Sequence, residues 1–179
     1  MIGPPRRSWT GPEYRIEVDF RAPPKFVYHW CTDYHTDDAR LEGESYHRRV
    51  IARSSGRMVF EDLQETRNGW DWGRCWVVLR PPAAWHAERR GNRREETVDY
   101  RLRALGPEST RLTLRLRRRA LEPEPRLSKE ERERTLSRTW GRFRSSLEAE
   151  YRREMATPPG GVVAGLSERA GARRSVHRR

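Results

Sequence analysis

Residues 96–119 constrain this chain more than any other stretch. Val98, Tyr100, Leu102 and Ala104 alternate with Asp99, Arg101 and Arg103; beyond Gly106-Pro107 the alternation resumes as Leu112, Leu114 and Leu116 against Arg111, Arg115 and Arg117. Successive side chains on a strand point to opposite faces, so this period of two describes a sheet with one apolar and one wet face. The connection is far too short for a crossover helix, so the two strands are antiparallel.

The same period opens the chain. Tyr14, Ile16, Val18 and Phe20 alternate with Arg15, Glu17, Asp19 and Arg21, and Ala22-Pro23-Pro24 then stops the strand. Proline is preorganised for the first helical turn, which predicts a helix from Pro24 to about Tyr34 with Phe26, Val27, Trp30 and Tyr34 on one face. Asp37 and Asp38 are candidate caps for a second short helix through Leu41, ended by Gly43. Further strands are predicted at Tyr46–Arg53, Arg57–Gln64, Arg74–Arg80, Ala84–Arg90, Glu96–Leu105 and Thr110–Arg119. Turn residues separate them, as in an antiparallel meander. Ser128 and Glu131 have capping-box spacing, and Leu136, Trp140, Phe143, Leu147 and Tyr151 follow at steps of three and four. The resulting helix, residues 128–156, is about 43 Å long, enough to cross a whole sheet.

Prolines and glycines set the domain limits. Residues 1–12, with Pro4-Pro5, are expected to be a disordered amino-terminal segment; residues 157–179, after Pro158-Pro159-Gly160-Gly161, a disordered Arg-rich tail. Residues 13–156 form the domain. The chain carries 38 Lys+Arg against 26 Asp+Glu, a charge of +12, and only Lys25 and Lys129 are lysines. Half of that excess lies in the two ends, and the tail has no aromatics for base stacking, so no specific nucleic-acid contact is expected. No apolar run reaches the ~20 residues of a transmembrane segment, and with no apolar stretch after Arg6-Arg7 a signal peptide is not expected. A cytoplasmic protein is expected, with Cys31 and Cys75 reduced. Monomer and homodimer both remain open.

Strand, two short helices, six strands and a long carboxy-terminal helix is an order that resembles the SRPBCC superfamily, the START or birch-allergen-like helix-grip fold. The opening Tyr14-Arg15-Ile16-Glu17-Val18-Asp19-Phe20-Arg21-Ala22-Pro23-Pro24-Lys25-Phe26-Val27-Tyr28 looks like the start of a polyketide cyclase/dehydrase-like member. The resemblance implies an α+β fold: a curved seven-stranded antiparallel sheet around the long helix, with a hydrophobic cavity between them. It also implies a small hydrophobic or aromatic ligand, lipid- or polyketide-like, and in some members cyclisation, dehydration or hydrolysis.

On that arrangement Trp140, Phe143 and Leu147 face the sheet, Phe26, Trp30 and Tyr34 close one end, and Phe60, Tyr100 and Leu114 belong to the inner wall. Each is equally required by a solid core. Trp72, in Trp70-Asp71-Trp72-Gly73, is a candidate for the cavity mouth, with packing beneath the amino-terminal segment as the alternative. The wall supplied by alternation is expected to be almost wholly apolar. The best polar candidates for catalysis are Asp62, its partner Arg48 on the adjacent strand, and Tyr46 as a hydroxyl donor. His86 acts inside only if Trp85 points out. His, Cys and carboxylate spacings match no metal site, and no GxSxG, P-loop or GxGxxG is present, so no metal or cofactor is expected. Three functions remain: a carrier of a small hydrophobic molecule, a cyclase/dehydrase-type enzyme on the same cavity, and a nucleic-acid or protein-interaction module using the basic exterior.

Overall fold

The computed structural model describes residues 11–36 and 38–156. The expectations for the first ten residues, for the tail 157–179 and for Asp37 as a cap lie outside the described residues. In chain order the elements are β1 (Glu13–Phe20), α1 (Pro24–Cys31), α2 (Asp38–Glu42), β2 (His47–Arg53), β3 (Arg57–Thr66), β4 (Gly69–Arg80), β5 (Ala84–Gly91), β6 (Arg94–Gly106), β7 (Ser109–Ala120) and α3 (Lys129–Ala156).

The seven strands form one antiparallel sheet in the order β1-β7-β6-β5-β4-β3-β2, so the chain crosses the full width of the sheet between β1 and β2 through the two short helices. Register shifts at Val50/Ala52 and Ala104/Gly106 bend it locally. This is the expected α+β architecture. One face carries the core: Phe20, Met58, Val77, Trp85, Leu102 and Leu112 are buried against Val27 of α1 and the fully buried Leu147 of α3. The capping box at the start of α3 forms as expected, Glu131 N–H donating to Ser128 Oγ at 3.1 Å and Ser128 N–H to Glu131 Oε2 at 2.7 Å.

α3 packs chiefly on β1 and closes its free edge. The backbone N–H of Arg15 donates to Glu133 at 2.8 Å, and that of Arg21 donates to Glu148 at 2.9 Å. Glutamates of a helix thereby satisfy amides that a neighbouring strand would otherwise bind.

The outer face absorbs much of the arginine excess. Arg111 pairs with Asp19 at 2.6 Å and Arg117 with Glu13 at 2.7 Å across β1 and β7, Glu61 accepts from both Arg49 and Arg74, and Arg119 pairs with Glu95. Cross-strand neutralisation explains these charges without a nucleic-acid partner.

Two elements differ from expectation. α1 ends at Cys31, because Thr32 turns both its hydroxyl and its amide onto the carbonyl of Tyr28, at 2.7 and 3.1 Å. Tyr34 therefore lies outside the helix, at φ +49°, a left-handed conformation uncommon for an aromatic residue. β4 begins five residues earlier than expected, at Gly69, whose φ of +97° makes the turn after Asn68.

Candidate functional site

Space remains between the inner sheet face, α2 and α3. A cavity of about 170 Å³ lies over β3 to β6, bordered by Tyr34, Phe60, Cys75, Val98 and Tyr100 together with Arg48, Asp62 and Arg89. A second, of about 290 Å³, opens beneath α3 between Leu114 and Leu116 on one side and Leu136, Trp140 and Phe143 on the other. A third, of about 60 Å³, sits among Trp30, Trp85 and Trp140. Glu42 and Tyr100 border all three.

A continuous band of rings borders these spaces. Trp85 stacks on Tyr100 with centroids 4.6 Å apart and planes 9° from parallel; Tyr100 meets Trp140 at 5.9 Å, Trp140 meets Phe143 at 5.1 Å, and Phe143 takes the edge of Trp30 at 6.0 Å. Offset and edge contacts of this kind are favourable in themselves, so the band is a stiff wall.

β2 and β3 supply a polar node. Their register places Arg48 opposite Asp62, and the guanidinium grips both carboxylate oxygens, Nε to Oδ1 at 2.8 Å and Nη2 to Oδ2 at 3.0 Å. Arg48 also donates to Asp38 at 2.6 Å and to the Tyr46 hydroxyl at 3.0 Å, and lies over the rings of Phe60, Tyr46 and Tyr34 at 4.2, 5.0 and 5.7 Å. Burial pushes the carboxyls of Asp38 and Glu42 up to about 7, although Arg48 acts to lower both. Burial also raises the hydroxyls of Tyr46 and Tyr34 well above their usual range, which keeps them neutral donors. The Tyr34 hydroxyl is buried and has no hydrogen-bond partner.

A second polar series starts on β5. Arg89 donates to Asp71 at 3.0 Å, Asp71 accepts from Arg94 at 2.6 Å, Arg94 lies 3.3 Å from Glu96, and Glu96 pairs with Arg118 at 3.0 Å. Arg118 then reaches Glu124, which pairs with Arg132 of α3 at 3.2 Å. Burial acts to raise Asp71, but Arg94 and Arg89 outweigh it and hold the carboxyl below its ordinary value.

The wall is thus not almost wholly apolar, as alternation had suggested. The inward phase of β3 continues from Met58 and Phe60 to Asp62 and Gln64, and that of β5 from Trp85 and Ala87 to Arg89; β6, traced back from Val98, reaches Glu96 and Arg94. Extending each alternation two to four residues beyond its apolar part would have found these charges. Glu42 had only one signal, its position four residues after Asp38 on the same face of α2.

Trp30, Tyr34, Phe60, Tyr100, Leu114, Trp140 and Phe143 each border one or more of the three spaces. Phe26 and Leu147 border none: Phe26 packs on Tyr151 at 4.9 Å, and Leu147 is core. Trp72 is corrected outright. With β4 starting at Gly69, Asp71, Gly73, Cys75 and Val77 point inward, leaving Trp70 and Trp72 on the outer face, 55% and 39% exposed. Trp85 is buried, so His86 points outward, where it meets Asp99 at 2.9 Å. Cys31 and Cys75 are free, and burial raises both thiols. Among the described residues no His, Cys, Asp and Glu group could hold a metal, and no helix is long and apolar enough to cross a membrane.

No protein-family model matches the sequence, and no curated protein does. Solved structures do match. An aromatase/cyclase, ZhuI, from Streptomyces sp. R1128 superimposes with a TM-score of 0.59 at 16% identity, over 84% of this chain and 99% of that one. A START superfamily protein from Mycobacterium smegmatis gives 0.55 at 15% identity, over 79% and 97%. Ara h 8.0201 gives 0.56 at 10% identity, over 78% and 96%. At such identities the likeness is one of fold. The chain has the helix-grip fold.

Proposed function

We propose that this protein binds a small hydrophobic or aromatic molecule, lipid- or polyketide-like, between the inner sheet face and α3. The observation that carries the reading is the band Trp85–Tyr100–Trp140–Phe143, all four of whose rings border the space of about 60 Å³ and the last three the space of about 290 Å³ beneath α3. A planar apolar guest would gain dispersion and stacking against it. Five outer arginines, Arg111, Arg117, Arg49, Arg74 and Arg119, are engaged by Asp19, Glu13, Glu61 and Glu95, which weakens the basic-surface alternative. Native mass spectrometry of the freshly purified protein should show a retained small molecule, and the emptied protein should bind 2-naphthol saturably at one equivalent. Failure of both would overturn the reading.

A second reading, a cyclase/dehydrase-type enzyme, is favoured by one specific arrangement: Glu42, with its carboxyl near 7, borders every part of the cavity, and Tyr46 beside it is neutral. A carboxyl poised near neutral pH can take and return a proton in the working range. The ZhuI neighbour is itself named an aromatase/cyclase. Asp62 is less suited than the sequence suggested, because both its oxygens already accept from Arg48; it positions Arg48. In an enzyme, Glu42→Gln would keep ligand affinity and lose roughly 10²–10⁴ of the turnover.

A further inference from the structure

The series from β5 to α3 has an odd composition. Four guanidiniums, Arg89, Arg94, Arg118 and Arg132, alternate with three carboxylates, Asp71, Glu96 and Glu124, so the chain of ion pairs begins and ends on arginine with one positive charge unmatched. One end, Arg132, borders the space beneath α3; the cavity over β3 to β6 is bordered by the other end, Arg89. Its Nη2 is occupied by Asp71, while its Nη1 is buried without a hydrogen-bond partner. A buried charged donor left open in this way is costly, because it has lost water and gained nothing in return. Nε of Arg94, Arg118 and Arg132 is open as well, but Arg94 Nε lies 3.3 Å from Glu96, and Arg118 and Arg132 lie outside the lining of the cavity over β3 to β6.

The position of Arg89 is also built. A Cβ on Gly73, the inward position between Asp71 and Cys75 on β4, would lie 2.4 Å from Arg89 Nε and 2.5 Å from Cζ. The guanidinium therefore rests on backbone that only glycine leaves bare, and Asp71 two residues earlier on the same inward face holds its other edge. Next to it lie the apolar groups Cys75, Ala87, Val98 and Tyr100.

We infer that Arg89 forms an oxyanion subsite, and that the molecule bound in the cavity is an amphipathic acid: an apolar or aromatic body along Tyr100 and Val98, with a carboxylate or a phosphate accepting from Arg89 Nη1. This rests on the reading of the cavity as a small-molecule site and adds the charge of the guest. The attraction is local to the open N–H of Arg89, which also fixes the direction; it acts against the carboxyls of Glu42, Glu44 and Asp62 in the same lining. Arg48 cannot take this part, because Asp62, Asp38 and Tyr46 engage all three of its nitrogens.

The experiment compares probes with one body and different heads, 2-naphthoate, 2-naphthyl phosphate and neutral 2-naphthylmethanol, by calorimetry on the full chain at pH 8. One of the two anions should bind roughly ten- to a hundredfold more tightly than the alcohol, the span of a hydrogen bond to a charged group, and the tighter anion identifies the headgroup. In Arg89→Met that ratio should fall to about threefold or less. Gly73→Ala, which keeps the charge but displaces the guanidinium, should reduce the ratio as well, and it tests the subsite if Arg89→Met does not fold. Equal binding of all three probes to the unaltered protein, or a ratio unmoved in the folded variants, overturns the subsite while leaving the apolar cavity standing. Failure of every probe to bind overturns both.

Discussion

The inner face of the sheet has two halves that share the same strands. Met58, Val77, Trp85, Leu102 and Leu112 make one half, closed under α1 and α3 by Val27 and Leu147. Asp62, Asp71, Arg89, Arg94 and Glu96 make the other, on the same sides of β3, β4, β5 and β6. Alternation decides which side chains point inward; it does not decide what they meet there. Where a helix covers the strands, apolar residues interlock with it. Where α2 and α3 leave space, charged residues join Cys75, Ala87, Val98 and Tyr100 on the inward face and pair mostly with one another, Arg89 Nη1 staying open. The half that holds the fold together and the half that lines the cavity over β3 to β6 are thus separate stretches of the same strands.

The contrast is broken most directly by truncation. Phe20 is fully buried in the closed half, so Phe20→Ala should cost about 3–5 kcal/mol in urea unfolding. Trp140 is larger but borders open space, so Trp140→Ala should cost clearly less. Equal losses would mean that the cavity behaves as packed core. In the charged half, removing one partner of a buried pair should hurt more than removing both. Arg48 and Asp62 have side chains only 4% and 12% exposed, so Arg48→Met should cost about 3 kcal/mol, while Arg48→Met combined with Asp62→Leu should recover most of it.

The smallest effect concerns pH. Asp38 and Glu42 have folded values near 7 against ordinary values of 3.8 and 4.5, so between those limits the folded chain holds protons that the unfolded chain has lost. Their contribution is complete below about pH 4 and falls as pH rises through 7. The outer-face acids Asp19, Glu61 and Asp99, held low by Arg111, Arg74 and His86, have the opposite sign: they stabilise above their ordinary values and lose this as pH falls. Glu42→Gln should therefore flatten the decline in stability between pH 5 and pH 8 by about 1 kcal/mol, and an unchanged slope would place Glu42 in water.

Much of this architecture was legible. Leu112, Leu114 and Leu116 announced β7, Pro24 opened α1, and Ser128 with Glu131 marked the start of α3, because each signal is local. The end of α1 was less so: Phe26, Val27, Trp30 and Tyr34 keep a helical period, but the hydroxyl of Thr32 finds the Tyr28 carbonyl and ends the helix first. Trp72 was misplaced for a related reason. Two tryptophans beside Asn68-Gly69 suggested a loop, whereas the turn is so tight that β4 begins at Gly69 itself. The site was hidden more deeply, since Arg89 and Asp71 look like surface charges until Gly73 is seen to make room for one upon the other.

The glutamates that hold α3 to β1 bear on self-association. A sheet with two free edges can grow head to tail, each copy adding its β1 to the β2 of the next, and such growth has no natural end. Here Glu133 and Glu148 already occupy amides of the β1 border, and α3 lies against it, so β2 is the border left available for strand pairing. Pairing through β2 would be isologous, two copies related by a twofold axis, each using the border that the described residues leave open. The same contacts that seat the helix thus leave open-ended growth through β1 without its strand partner among the described residues.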